Sequence, residues 1–132
     1  MNKNLINNLI TICISIVLLF LSAILIENPW WFFVIPVFIW GIIVNRLRWK
    51  VSLFSIGFLS GFLVWLFGNI YFDFVLDGHV LNRIAMLISL PKFVLMLLTG
   101  LIGGILTGLS LFTGGSLFEV RELNGLKKYD AI

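Results

Sequence analysis

The residues able to do chemistry in this chain are few, and most of them lie in one segment. Asp73, Asp77, His79, Arg83 and Lys92 all fall in a polar connection between two long apolar runs. Neighbouring carboxylates with an imidazole close by are donors of the kind that can hold a divalent cation. None of the tight ligand spacings that mark a metal motif accompanies them. The plainer reading is a set of solvated charges in which Asp73 pairs with Arg83 or Lys92, an exposed contact worth on the order of 0 to 1 kcal/mol. Asn69 and Tyr71, just ahead of Asp73, either floor a small outward-facing polar pocket or simply mark a helix end at an interface.

Other chemistry lacks the residues it would need. Cys13 is the only cysteine, so the chain has neither an internal disulfide nor the thiol pair that quinone-linked oxidation requires. His79 is the only histidine, which removes a bis-histidine haem site. No serine or cysteine motif surrounds it that would make a hydrolase base of it. Neither G-x-G-x-x-G nor a Gly-Lys-Ser/Thr ending is present to cradle a phosphate. The net charge of +3 is spread over short connections and forms no patch for nucleic acid. No catalytic residue, cofactor or metal ligand is assigned, and the chain reads as non-enzymatic.

The clearest spacing belongs to glycine. Gly100, Gly104 and Gly108 recur every four residues, with Gly103 and Thr107 on the adjoining strip, and Gly57, Gly61 and Gly68 make a shorter version earlier in the chain. Helices in lipid gain no hydrophobic advantage from meeting each other, so they associate by close backbone approach, which small residues at i and i+4 allow. Packing within or between chains is the expectation. A strip that lines a narrow conduit is the sharper alternative.

The elements that must carry these residues are set by composition. Hydrophobic residues make up 61% of the chain and charged ones 11%, against about 25% charged in an ordinary soluble domain. Applying the rule of about 20 helical residues to a core about 30 Å thick, the sequence predicts a single membrane domain of four transmembrane helices. The spans cover about 5–26, 30–47, 51–72 and 93–115. Pro29 suits the opening of the second span, and Pro36 inside it should kink it or soften its bonding. Between spans three and four, polar residues recur at helical spacing from His79 to Ser89. That pattern predicts a short amphipathic interfacial helix over about 78–90, with Asp77 as its N-cap. A cytoplasmic tail is expected over 119–132.

Orientation follows from Lys and Arg. Lys3, Arg46, Arg48, Lys50, Arg121, Lys127 and Lys128 fall on one side of a four-span arrangement, and Arg83 and Lys92 on the other. The positive-inside rule then puts both termini in the cytoplasm of a cell-membrane protein. The spans carry no ionisable residue in their central turns, and proton- or ion-coupled transport ordinarily needs one there. The expectation is an all-α accessory or structural subunit whose partners are the bilayer and either itself or another membrane protein. A homo-oligomeric channel for a small solute is the alternative, and a metal-binding protein using the outer Asp/His connection is a third.

Overall fold

The computed structural model describes the backbone of residues 2–25, 27 and 29–130, and the side-chain surroundings of those up to 117. Among the described residues there are five α-helices and no strand: α1 (Lys3–Ile24), α2 (Val34–Arg46), α3 (Leu53–Val75), α4 (His79–Ile88) and α5 (Lys92–Asp130). Three of them, α1, α3 and the Lys92–Leu117 part of α5, are long and apolar enough to cross a membrane. Several of their polar members bond back to their own helix. Thr11 Oγ1 donates to Asn7 O, Ser22 Oγ to Leu18 O and Thr113 Oγ1 to Leu109 O, each at 2.7 Å, so these hydroxyls are carried through an apolar run with their donors met.

The second apolar run departs from expectation. Its first residues, Trp30 to Phe33, wind in tight turns: Phe32 N–H donates to Pro29 O at 2.9 Å, Val34 N–H to Trp31 O at 3.1 Å and Ile35 N–H to Phe32 O at 3.2 Å. The α-helix starts only at Val34 and has 13 residues, about 20 Å at 1.5 Å per residue, short of the ~30 Å a core requires. Pro36 is therefore the third residue of α2 and not an interior one. Helices leave their first N–H groups without intrahelical acceptors, so the missing donor costs no bond there and no kink is needed.

Directions and registers can be read from contacts between helices. Ser110 Oγ donates to Val34 O at 2.7 Å, and Gly114 lies against Phe38 O, so α2 runs parallel to the later part of α5. Gly57 faces Gly108 while Asn69 bonds Thr99, so α3 runs antiparallel to α5. The head of α2 stands abreast of Ser110, roughly 27 Å along α5 from Lys92. α2 thus accompanies only one half of the α3–α5 pair. The core is small: Leu19, Phe33, Val37, Ile56 and Leu111 form one buried cluster, with the Phe33 ring edge-on to Trp65 at 5.7 Å. α5 is the central helix, half of its apolar window being buried against 17% for α1. Most large apolar side chains face outward, Phe20, Phe67 and Phe93 among them, which suits lipid as solvent and not water.

Both connections around α4 close on left-handed residues. Asp77 has φ 48° and Gly78 φ 72°, and Gly78 N–H donates to Asp73 O at 2.8 Å, the six-to-one bond of a helix C-terminal cap. Asp77 is therefore the residue that ends α3. It does not cap α4, whose N-cap position is Gly78 with no side-chain bond. Ser89, at φ 57°, ends α4 in the same manner with Leu90 N–H on Ala85 O at 3.1 Å, and Pro91 O accepts the N–H of Leu95 as α5 begins. α5 continues to Asp130 as a 39-residue helix, about 58 Å long, so the backbone of the segment expected as a tail from 119 prolongs this helix. The side chains of Arg121, Lys127 and Lys128 lie outside the described residues, as does the Ile26 end of the first predicted span.

Candidate functional site

Two places collect the residues singled out by the sequence: a glycine seam along α5, and a pocket where α3, α4 and α5 meet. The seam comes first because it positions the pocket. A Cβ at Gly57 would stand 2.8 Å from Gly108 Cα, one at Gly104 would stand 2.9 Å from Phe58 O, and one at Gly108 would stand 3.0 Å from Phe54 O. Gly61 abuts Thr107 and Gly103 O, Gly103 abuts the Trp65 indole, and Gly100 meets the Phe62 ring. Thr107 is fully buried and donates to Gly103 O at 2.7 Å, and Ser60 donates to Ile56 O at 2.6 Å. These small residues therefore bring α3 and α5 together within the chain. Phe54, Phe58 and Phe62 stack at 6.3 and 6.1 Å between successive rings and cover the strip. Gly68 is the exception, with no neighbour within 4 Å of a Cβ placed on it.

A second small-residue crossing, between α2 and α5, was not singled out in the sequence. Gly41 lies against Leu111 O and Gly114 against Phe38 O, with Gly41 Cα 3.3 Å from a Cβ at Gly114. Gly114 stands two helical turns beyond Thr107, so it extends the strip that Gly103 and Thr107 begin. Gly41, alone in its run, gave no such signal.

Above the seam, Asn69 Nδ2 donates to Trp65 O at 2.9 Å and to Thr99 Oγ1 at 2.6 Å, and Thr99 Oγ1 donates in turn to Met96 O at 2.9 Å. One turn further along α3, Asp73 Oδ2 pairs with Lys92 Nζ at 2.5 Å, their side chains 17% and 33% exposed. Around these groups lies a pocket of about 370 Å³, lined by Asn69, Asp73 and Thr99 and otherwise mainly by apolar side chains of α3, α4 and α5. The second oxygen of the carboxylate, Asp73 Oδ1, is shielded from solvent and has no hydrogen-bond partner. Gly78 is buried close against these polar groups. A Cβ there would sit 3.1 Å from Lys92 Nζ, 3.3 Å from Asn82 Nδ2 and 3.5 Å from Asp73 Oδ1.

The remaining members of the predicted polar site do not join this group. Asp77 is exposed in its turn, and His79 and Arg83 line a shallower depression with Val80. Tyr71 is exposed on the outer face, its ring edge-on to Phe72 at 5.7 Å. Among the described residues no three His, Cys, Asp or Glu side chains converge as ligands for a metal ion. Asn82 and Thr99 enter the site unannounced by the sequence, because only the antiparallel register of α3 and α5 and the reversal at Asp77–Gly78 bring them there. No protein family, curated protein or solved structure matches this chain, so its function is read from this geometry.

Proposed function

We propose that this chain is a non-enzymatic, multi-pass protein of the cell membrane that serves as an accessory or structural subunit. The observation that carries the proposal is the direction in which its surfaces face. Small residues are spent on a seam within the chain, while long apolar side chains cover the outside, as expected of a body that packs itself and then presents its flanks to lipid or to partner helices. The glycine faces thus build the subunit, and any contact with a second copy or a larger complex uses the outward faces. The distribution of Lys and Arg supports an even number of passes with both ends on the cytoplasmic side, and the alternation of direction among α2, α3 and α5 is compatible with it. In that arrangement α2 contributes the shallowest pass. A conduit along α5 has the filled seam against it, since aromatic rings and backbone occupy the strip that a pore would need.

The test uses the intact chain in its own membrane. It is expected to sediment with membranes in a detergent-free high-speed spin, to co-migrate with other membrane polypeptides or with itself in mild detergent, and to give no solute leak above empty vesicles when reconstituted. A soluble, monodisperse protein would overturn the membrane reading. A specific flux in proteoliposomes would replace the accessory role with that of a channel.

A further inference from the structure

We infer that the α3–α4–α5 pocket binds a bilayer phospholipid whose headgroup carries a primary ammonium, phosphatidylethanolamine being the simplest case. The inference rests on the membrane reading above and adds a ligand to it. The pocket lies where the apolar run of α3 ends at Asp73 and that of α5 begins after Lys92, the level at which acyl chains give way to headgroups. Its volume of about 370 Å³ falls in the ~300–1,000 Å³ range of ligand sites. Phe72, Leu76, Leu81, Ile84 and Leu95 supply an apolar wall, and nearby Phe74 and Leu87, each 85% exposed, set this end of the molecule among lipids.

The polar groups select the headgroup. Asp73 Oδ1 is an acceptor held away from solvent without a donor, an arrangement that is costly while it stays unmet. Lys92 Nζ and Asn82 Nδ2, both donors, stand at the edge of the pocket beside the carboxylate, 3.1 and 3.3 Å from where a Cβ on Gly78 would lie. A zwitterionic headgroup satisfies both kinds of group at once: its ammonium donates to Asp73 Oδ1, and its phosphate oxygens accept from the neighbouring Lys92 and Asn82. A phosphatidylcholine headgroup has the same phosphate and net charge, but its trimethylated nitrogen has no N–H to give. The two lipids therefore differ at the atom the carboxylate addresses.

The purified full chain, exchanged into mixed micelles containing equal amounts of phosphatidylethanolamine and phosphatidylcholine with the same acyl chains, is examined by native mass spectrometry. The expected result is a bound-lipid ratio favouring phosphatidylethanolamine by roughly tenfold, the factor that one recovered interaction of this kind provides. Asp73→Asn should bring the ratio to parity. Leu81→Trp, which fills the pocket without touching the ion pair, should displace both lipids, and Cys13→Ser on the exposed face of α1 should leave the preference unchanged. Equal retention of the two lipids by the wild-type chain overturns the inference, as does loss of the preference in Cys13→Ser. Competition by glycerophosphoethanolamine, which has the headgroup and no chains, as effective as that of the lipid would also overturn it, since the ligand would then be a free solute. A chain that stays in solution without detergent fails the membrane reading; a membrane-bound chain with no headgroup preference fails only this one.

Discussion

A glycine in a membrane helix is informative only through what stands opposite it, and the glycines of this chain differ in that respect. Gly114 is pressed against the backbone carbonyl of Phe38, an atom that cannot swing away as a side chain would. Gly114→Ala forces α2 off α5 and should cost about 1–3 kcal/mol, as overpacking does, lowering the melting temperature in detergent. Gly68 has open space where a Cβ would go, so Gly68→Ala removes only the helix penalty of glycine and should be neutral or stabilising by up to about 1 kcal/mol. Thermal melts of the two variants check the pair. If Gly114→Ala melts like the wild type, the α2–α5 crossing is not as close as the structure has it. In the sequence Gly68 belonged to the suggestive pattern and Gly114 did not. Spacing identifies a face that permits close approach, and only a partner helix decides whether the approach occurs.

At the scale of the element, α2 is the helix with most at stake in single contacts, because its 13 residues begin far along α5 and make it shorter than α1, α3 or α5. Ser110 Oγ donates to Val34 O at 2.7 Å at the very start of this helix. Removing that hydroxyl with Ser110→Ala should cost about 0.6–1.5 kcal/mol and raise hydrogen exchange in α2 ahead of α3 and α5. Uniform protection across the three helices in the variant would deny α2 its separate anchoring. The apolar runs behind α1, α3 and α5 were legible as helices because charge is absent from them for the length a bilayer demands. The amphipathic pattern from His79 to Ile88 was equally plain. The start of α2 was not, since Trp30 to Phe33 are as apolar as the residues that follow, and hydropathy does not separate a tight turn from an α-helical one. Asp77 misled for a related reason. An aspartate before a helix looks like a cap, yet here it takes a left-handed conformation to finish the preceding helix. Of the polar groups at and beside the pocket, Asn69, Asp73 and Lys92 were visible in the sequence, whereas Thr99 and Asn82 depended on the register between chain segments about 10 to 30 residues apart.

For the whole molecule, orientation and depth make separate predictions that one labelling series can test. Seven Lys and Arg residues, Lys3, Arg46, Arg48, Lys50, Arg121, Lys127 and Lys128, would share the cytoplasmic side if the chain makes an even number of passes, leaving Arg83 and Lys92 outside. Cys13 is the only cysteine, so Cys13→Ser supplies a background on which Asn2→Cys, Glu27→Cys, Ser89→Cys and Asp130→Cys can be read one at a time with a membrane-impermeant maleimide. In intact cells Ser89→Cys should label quickly, while Asn2→Cys and Asp130→Cys should label only after permeabilisation. Glu27→Cys distinguishes the two readings of α2. The head of α2 stands roughly 27 Å along α5 from Lys92, so the turn that leads into it is recessed from the face on which Ser89 sits. It should label from outside markedly more slowly than Ser89→Cys, at a rate that rises when the α2–α5 crossing is loosened by Gly114→Ala. Labelling of Glu27→Cys as fast as Ser89→Cys would mean that α2 reaches the outer surface and that the register seen here is not kept in the membrane. Labelling of Asn2→Cys from outside, with Asp130→Cys still protected, would make the passes odd in number and leave α2 as a helix that enters and leaves the bilayer by the same face.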